Sequence, residues 1–539
     1  MTCLHLLLAI ATALGASPVM AQEPAGAESF APLIKVTTNL LQVSVVVRDS
    51  KGRPVSNLSR NDFTLYDEGR RQKIVDCTKE TNEVWPDQAA GSVEGLVSNR
   101  FATFVVNGET RARPLPNSVT AILLDGLNTR FSDQARVKES LIQLLKQLHS
   151  GDSVAIYALT DRLHVVHDFT SDVPALLAAL DRLRPQESRT AASSVYEDSN
   201  TGIDYLDGMI NRANAKLAGF SHDDRAGATA IALQAIANHL AGIKGRKNLI
   251  WVSSNFPLPM TATEQQTTWR GFNDAGIAIY PVDARGLIGM TEWMPSLGAS
   301  STAKIVTGKN PEDRRAQRQI EESHTVADVL AERTGGRACR NNDVSGCIRR
   351  ALDDSEVTYV LSFTPSHNQW DGRFREIKVK LNRAGLEARY RKGYYALPDL
   401  PSDQTTRQSL LQSAAMSPLV STGLTIVAKL LEKPTDLSRQ AALSIVLDWH
   451  EVAFESKAEG TREATLDVRA VVFGAEMAAL KTTGQTAHLE LKPSQYDRFL
   501  KEGELLTIKV EVPAGSERVR VVVRDAASGR LGAVDVPIR

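Results

Sequence analysis

The feature that most constrains this chain is a short apolar run, Ala121-Ile122-Leu123-Leu124, that stops at Asp125. A strand with no polar alternation is buried on both faces, and such strands belong to parallel sheets covered by helices on each side. The flanking sequence supplies those helices. Val137, Leu141, Leu144, Leu145 and Leu148 recur at helical spacing after Ser132, which reads as a cap. Strands at Val154–Leu159, Leu163–Phe169, Asn248–Ser253 and Ile277–Val282 alternate with helices near 173–183, 226–243, 265–275 and 323–334. The fold class expected for residues 117–355 is therefore α/β, with a doubly wound, mostly parallel sheet. Ligands on such sheets bind at the carboxyl ends of the strands. Residues 184–222 and 286–322 are polar, long and rich in Ser and Arg, and read as functional loops.

On either side the periodicity changes to that of strands. Leu41, Val43, Val45 and Val47 share one face, and strand-like runs continue in 33–115 and again in 356–397. Neither set has enough strands to stand alone. The two are expected to pair into one split β-sandwich, with the α/β segment inserted between Leu115 and Asp354. Residues 400–417 read as a linker, and at least six β-like runs in 418–539 read as a separate all-β sandwich.

Leu4 to Ala16 is almost wholly apolar and too short to span a bilayer, and Val19-Met20-Ala21 follows with small residues where a signal peptidase reads. Residues 1–21 are thus expected to be a cleaved signal peptide, placing the chain in the periplasm or outside the cell, with no transmembrane segment after cleavage. Lys+Arg and Asp+Glu are equal at 63 each, so no net field recruits nucleic acid. Cleavage leaves Cys77, Cys339 and Cys347. In an oxidising compartment a Cys339–Cys347 bridge across a turn-rich loop is expected, with Cys77 free; the alternative is three unpaired thiols.

The order of motifs resembles a known family. Val43–Asp49 with Gly52, Asp62-Phe63 with Asp67-Glu68-Gly69, and Leu123–Thr129 are followed by Gly245–Trp251, Tyr280-Pro281-Val282-Asp283, Asp371-Gly372 and Arg391–Tyr395. Over roughly residues 35–395 this is similar to the von Willebrand factor A-type domain, and specifically to the VWFA-related proteins of acidobacteria. The resemblance implies a metal-ion-dependent adhesion site at the top of the sheet: an Asp-x-Ser-x-Ser loop, a Thr from a second loop and an Asp from a third. Here Asp125 stands first, Leu127 replaces a Ser, and Thr129 is the last hydroxyl. Thr229 is the second-loop Thr, and Ser253-Ser254-Asn255 offers no carboxylate. The site is degenerate. Asp125, Thr129 and Thr229 are its remaining candidate metal ligands, expected to bind Mg²⁺ or Mn²⁺ weakly if at all, and no other cofactor is expected. Without metal, Asp125 would order its loop by accepting loop N–H groups. Asp283, ending another strand, could replace the missing acid.

No other constellation assembles chemistry. His164 and His167 lie at i and i+3 on a strand and point to opposite faces. His222-Asp223-Asp224 reads as an exposed cluster, and Trp251 as a packing residue. No nucleophile, base and orienter come together, so the chain is not expected to be an enzyme. The expectation is an exported, adhesion-like module that binds an unknown protein ligand around Asp125, Thr129, Thr229 and Asp283. The rival readings are an envelope scaffold and a hydrolase using the long loops.

Overall fold

The computed structural model describes residues 40–81, 96–99, 101–106, 109–114, 118–149, 151–184, 224–243, 245–257, 262–285, 311–340, 343–367, 369–397, 403–434, 439–457, 460–502 and 505–538. The apolar leader at 1–21 and most of the two long loops lie outside the described residues. The remainder is a mixed α/β chain with several sheets.

The first strands are β1 (Leu41–Asp49), β2 (Phe63–Asp67), β3 (Arg70–Gln72) and β4 (Ile74–Thr81). They pair with strands some three hundred residues later: β13 (Val357–Phe363), β14 (Phe374–Leu381), β15 (Leu386–Tyr390) and β16 (Gly393–Tyr395). One sheet has the order β15-β1-β13-β4, the other β16-β14-β2-β3. Val45 sits opposite Tyr359 on one side and Tyr390 on the other. The two sheets share one core, in which Val43, Val45 and Val47 meet Phe63, Leu65, Ile377 and Val379. The alternation of β1 sends Gln42 and Ser44 to the opposite face.

Between these halves lies the central sheet. Its strands are β8 (Val119–Asp125), β9 (Val154–Leu159), β10 (Leu163–Thr170), β11 (Lys247–Ser253) and β12 (Ile277–Asp283), in the order β10-β9-β8-β11-β12. The β9-β8-β11-β12 pairings are parallel, and β10 returns antiparallel along β9. The uninterrupted apolar runs serve two cores. Ala121 and Leu123 face α3 (224–240), α4 (Ala262–Ala275) and α5 (Pro311–Thr334). Ile122 faces α1 (Phe131–Leu145), α2 (Val173–Arg182) and α6 (Val344–Asp353). Arg130, not Ser132, precedes α1, and no side chain caps it. Asp172 caps α2 by accepting from Ala175 N.

Three segments differ from their sequence reading. The stretch after Cys339 is not a loop: α6 starts at Val344, capped by Asp343, and its Val344, Cys347, Ile348 and Ala351 form an apolar stripe. The Cys339–Cys347 disulfide (Cα–Cα 6.1 Å) therefore ties the first turn of α6 to the segment that bridges β12 at Val282. Residues 404–416, read as a linker, form helix α7 (Gln404–Met416), whose Leu411, Ala414 and Ala415 pack on Val471 and Val522. β5 (Leu96–Ser98), grouped by sequence with the N-terminal strands, instead pairs with β17 (Ile426–Glu432) of the C-terminal region. Three residues carry too little pattern to name their partner. The hairpin β6 (Phe101–Val106) and β7 (Glu109–Pro114) follows.

The C-terminal region holds β18 (Gln440–Leu447), β19 (Glu455–Ser456), β20 (Arg462–Phe473), β21 (Ala479–Leu491), β22 (Leu505–Glu511), β23 (Arg518–Asp525) and β24 (Leu531–Pro537), with α8 (Pro493–Glu502) between β21 and β22. One sheet has the order β22-β18-β17-β5, and the other β19-β20-β23-β24 with β21 along β20. They share a core of Ile426, Leu443, Ile445, Val468, Val521 and Val534.

Two polar contacts fasten the central sheet to its neighbours. Below it, Asp354 is buried and accepts Tyr280 O–H (2.7 Å), Arg48 (3.0 Å) and Arg389. Arg246 in turn donates to Tyr280 Oη (2.6 Å). Burial works against the Asp354 charge, but Arg389 and Arg246 hold its carboxyl below the usual range. On the C-terminal side, buried His239 of α3 places Nδ1 2.7 Å from the Val420 carbonyl and Nε2 3.5 Å from Asp168 Oδ1. Burial opposes the imidazolium, yet Asp168 and the Val420 carbonyl raise its pKa above 6.5; the Asp168 carboxyl falls below 3.8, burial being outweighed by His239.

The histidine contribution is fully present below its unfolded pKa and is lost as pH rises through the folded value; the aspartate contribution is lost as pH falls below about 4. We expect His239→Gln to lower stability most between about pH 4 and 6.5, with the gap from wild type narrowing toward pH 9 in urea unfolding. A gap that widens with pH would contradict this pairing.

Candidate functional site

The carboxyl ends of β8 and β11 lie side by side, and Asp125 closes β8 there with 2% of its surface exposed. A buried carboxylate must find donors. Asp125 finds them on three elements. Asn128 gives its backbone N–H to Oδ1 (3.0 Å), and its side-chain amide nitrogen lies 3.1 and 2.9 Å from the two carboxylate oxygens. The same nitrogen donates to Thr229 Oγ1 (3.0 Å) on α3. The opposite amide orientation would set its oxygen against the carboxylate, acceptor to acceptor. From β11, Trp251 Nε1 donates to Oδ2 (2.9 Å), and Ser253 Oγ lies 3.0 Å away. Trp251 also packs, edge to face, on Phe256. Burial pushes the Asp125 carboxyl up, and the Asn128 and Trp251 bonds pull it partly back. The charge of Arg225, at the start of α3, acts on the same carboxylate.

The third loop is held to the first. Ser254 N donates to Thr129 Oγ1 (3.1 Å), and Ser254 Oγ donates to Asp133 Oδ2 (3.1 Å). Arg136 pairs with Asp133 and donates to the Arg285 carbonyl (2.9 Å), linking α1 to the end of β12. Asp283 does not substitute for a missing acid at Asp125. Its carboxylate receives Arg285 N and Nε (2.9 Å each) and Arg285 Nη2 (2.8 Å), with His324 Nε2 at 2.7 Å. Burial opposes the Asp283 charge, but the Arg285 bonds hold its carboxyl below the usual range.

Of the four residues singled out by sequence, Asp125 and Thr229 thus meet through Asn128, and Thr129 joins them through the third loop. Asp283 belongs to an ion-paired cluster beside them. Sequence reasoning missed Asn128, Ser253, Asp133 and His324, and read Trp251 as packing alone. One signal for Asn128 was present: an Asp three residues before it fits a capping-type pattern, in which the acid accepts the N–H three residues on.

These residues do not fit a divalent cation. Such an ion takes six or more oxygens and needs open carboxylate lone pairs. Here the Asp125 carboxylate is filled by N–H and O–H donors, an amide nitrogen stands between it and Thr229, and Leu127 turns into the apolar core. Among the described residues no group of three His, Cys, Asp or Glu could hold a metal. His164 and His167 are separated by a bulge in β10 and contact Asp161 and the Asp168 carbonyl respectively. A largely apolar cleft enclosing about 490 Å³, part of it open solvent, runs beside the site between Leu124, Val137, Ala158, Leu183 and Val252.

We expect Asn128→Ala to cost about 2 kcal/mol or more in urea unfolding, because it strips a buried carboxylate and Thr229 of a shared donor. A cost under about 0.5 kcal/mol would show that water replaces the amide freely.

No protein-family profile matches the chain, and no curated protein matches it. Among solved structures it is similar to an aerotolerance-related membrane protein from Bacteroides fragilis, at 12% identity and a TM-score of 0.23, over 44% of this chain and 98% of that one. It is similar to a von Willebrand factor type A protein from Catenulispora acidiphila, at 11% identity and a TM-score of 0.23, over 88% of this chain and 75% of that one. A third similarity is to proximal thread matrix protein 1 of the mussel byssus with a zinc-occupied MIDAS motif, at 8% identity and a TM-score of 0.22, over 47% of this chain and 48% of that one.

Proposed function

We propose that this chain is an exported protein-interaction module of the von Willebrand factor A type, whose loop end engages a protein partner without a divalent cation. One observation carries the reading: the Asp125 carboxylate is saturated from within, with the Asn128 amide bridging it to Thr229. A prebuilt hydrogen-bonded loop end is a rigid platform, and rigidity lowers the cost of binding. Two apolar side chains stand exposed within two residues of the site: Phe131 (53%) after Thr129 and Ile231 (66%) after Thr229. Exposed aromatic side chains are favoured anchors at protein interfaces.

Export is supported by the apolar leader and by the Cys339–Cys347 disulfide, since such bonds persist in oxidising compartments. Among the described residues no helix is long and apolar enough to cross a membrane. The scaffold reading keeps one observation in its favour: β5 sits ahead of the central sheet in sequence yet pairs in the C-terminal sheet, tying the parts together.

The test is affinity capture from envelope extract with the full chain, with and without EDTA, alongside Phe131→Ser. A partner held equally with chelator and lost with Phe131→Ser supports the proposal. A partner released by chelator points to a metal-dependent adhesion site. Retention that Phe131→Ser leaves unchanged favours the scaffold.

A further inference from the structure

At the opposite end of the central sheet, where it meets the split pair of sheets, lies a second pocket of different chemistry. It encloses about 370 Å³, part of it open solvent. Its walls are Gln42 and Ser44 of β1, Phe272 and Asn273 at the end of α4, the first residues of β12, Thr334 at the end of α5, and three arginines: Arg246, Arg333 and Arg391. No carboxylate lines it.

The arginines are not equivalent. Arg246 is committed to Tyr280 Oη (2.6 Å) and the Gly335 carbonyl (3.2 Å). Arg333 bonds Tyr395 Oη and stacks over the Phe374 and Tyr395 rings at 4.9 and 5.4 Å, which fixes its guanidinium at the wall. Arg391 is the less firmly held of the two buried arginines, since Arg246 Nε is also without a partner but its Nη2 is bonded to Tyr280 and Gly335. It is 92% removed from solvent, its relative exposure being 8%, and its buried Nε has no hydrogen-bond partner. Burial brings its guanidinium down to about 10, and the nearby Asp274 carboxylate offsets part of that shift. The backbone forces it there. Gly335, at φ +81°, approaches so closely that a Cβ would stand 2.7 Å from Arg391 N.

A buried guanidinium with an unpartnered Nε is costly, and such groups persist where they pair. Two helix C-termini, of α4 and α5, end at this pocket and offer roughly half a negative charge each. These half-charges, together with Asp274 acting on Arg391 and with Asp354 and Glu80 acting on Arg246, offset part of the positive charge and leave Arg391 and Arg333 as the guanidinium groups the pocket offers a ligand. Asn273, Ser44 and Gln42 add neutral donors along the wall.

We propose that this pocket binds a small tetrahedral oxyanion of the phosphate class, with Arg391 and Arg333 as its charged partners and Arg246 behind them. Guanidinium groups match the oxygens of such an anion two at a time. The Arg391-Lys392-Gly393-Tyr394-Tyr395 motif thereby acquires a ligand-binding role. The walls come from both the central sheet and β1, so a bound anion cross-links the two, and occupancy stiffens the joint beneath the loop end.

The experiment is calorimetric titration of the purified full chain with sodium phosphate at constant ionic strength, then with sulfate and with chloride. Saturable phosphate binding, competed by sulfate and not by chloride, is expected. Arg391→Gln, which removes the buried cation, and Gln42→Glu, which sets a carboxylate at the wall, should each weaken it at least about tenfold. Gln42 is an exposed strand residue, so Gln42→Glu decides the matter if Arg391→Gln fails to fold. Absence of saturable phosphate binding by the wild type would overturn the proposal. So would Gln42→Glu binding as well as wild type, or equal weakening by the surface control Lys429→Gln.

Discussion

The arrangement at the top of this molecule follows from one buried carboxylate. Asp125 ends the central strand of a sheet whose inner strands are apolar on both faces, and only 2% of its surface is exposed. Ionised or protonated, it needs partners, and leaving it bare would cost several kcal/mol. The partners come from Asn128 in its own loop and from Trp251 and Ser253 on the next strand. Through the Asn128 amide, Thr229 of α3 is drawn in as well. One acid thus sets the spacing of three segments that are far apart in sequence. A divalent cation is another way to satisfy a buried carboxylate. Here neutral donors do so.

The lower end answers the same physical demand differently. Asp354 is equally buried, but its partners are arginines from β1 and β15 together with Tyr280. Ion pairs of this kind contribute little net stability; breaking one is costly, because the partner charge is then stranded. That asymmetry makes Asp354 a joint: it penalises any separation of the central sheet from the split sheet pair. The disulfide works nearby on α6, the helix that leads directly into Asp354. Among the described residues, ion-paired coupling below and a hydrogen-bonded loop end above hold the two ends of the central sheet in place.

How much of this could be read from residues alone depends on the range of the interaction. The continuous run at Ala121–Leu124 and the stripe at Val137–Leu148 are local patterns, and they sufficed for the strand, the helix and their α/β setting. The pairing of β1 with β13 is not local. It was inferable only because each strand set is too small to be stable alone. β5 defeated that logic: three residues carry no alternation, and their partner β17 is chosen by tertiary contact. Helix α6 was hidden by its own flanks, since Asn341-Asn342-Asp343 and Gly346 look like a turn. Asp343 proves instead to be its cap, accepting from Gly346 N. The Asn128 amide was missed for a related reason. Its significance lies in standing between Asp125 and Thr229, and Thr229 is 101 positions away.

The account rests most directly on what occupies the space between Asp125 and Thr229. Crystals of the full chain grown in millimolar Mn²⁺, with diffraction recorded near the manganese edge, address it without relying on a partner. The account predicts no anomalous peak within coordination distance of Asp125, and electron density for the Asn128 side chain bridging the carboxylate and the Thr229 hydroxyl. An anomalous peak there, with the Asn128 side chain swung aside, would contradict it.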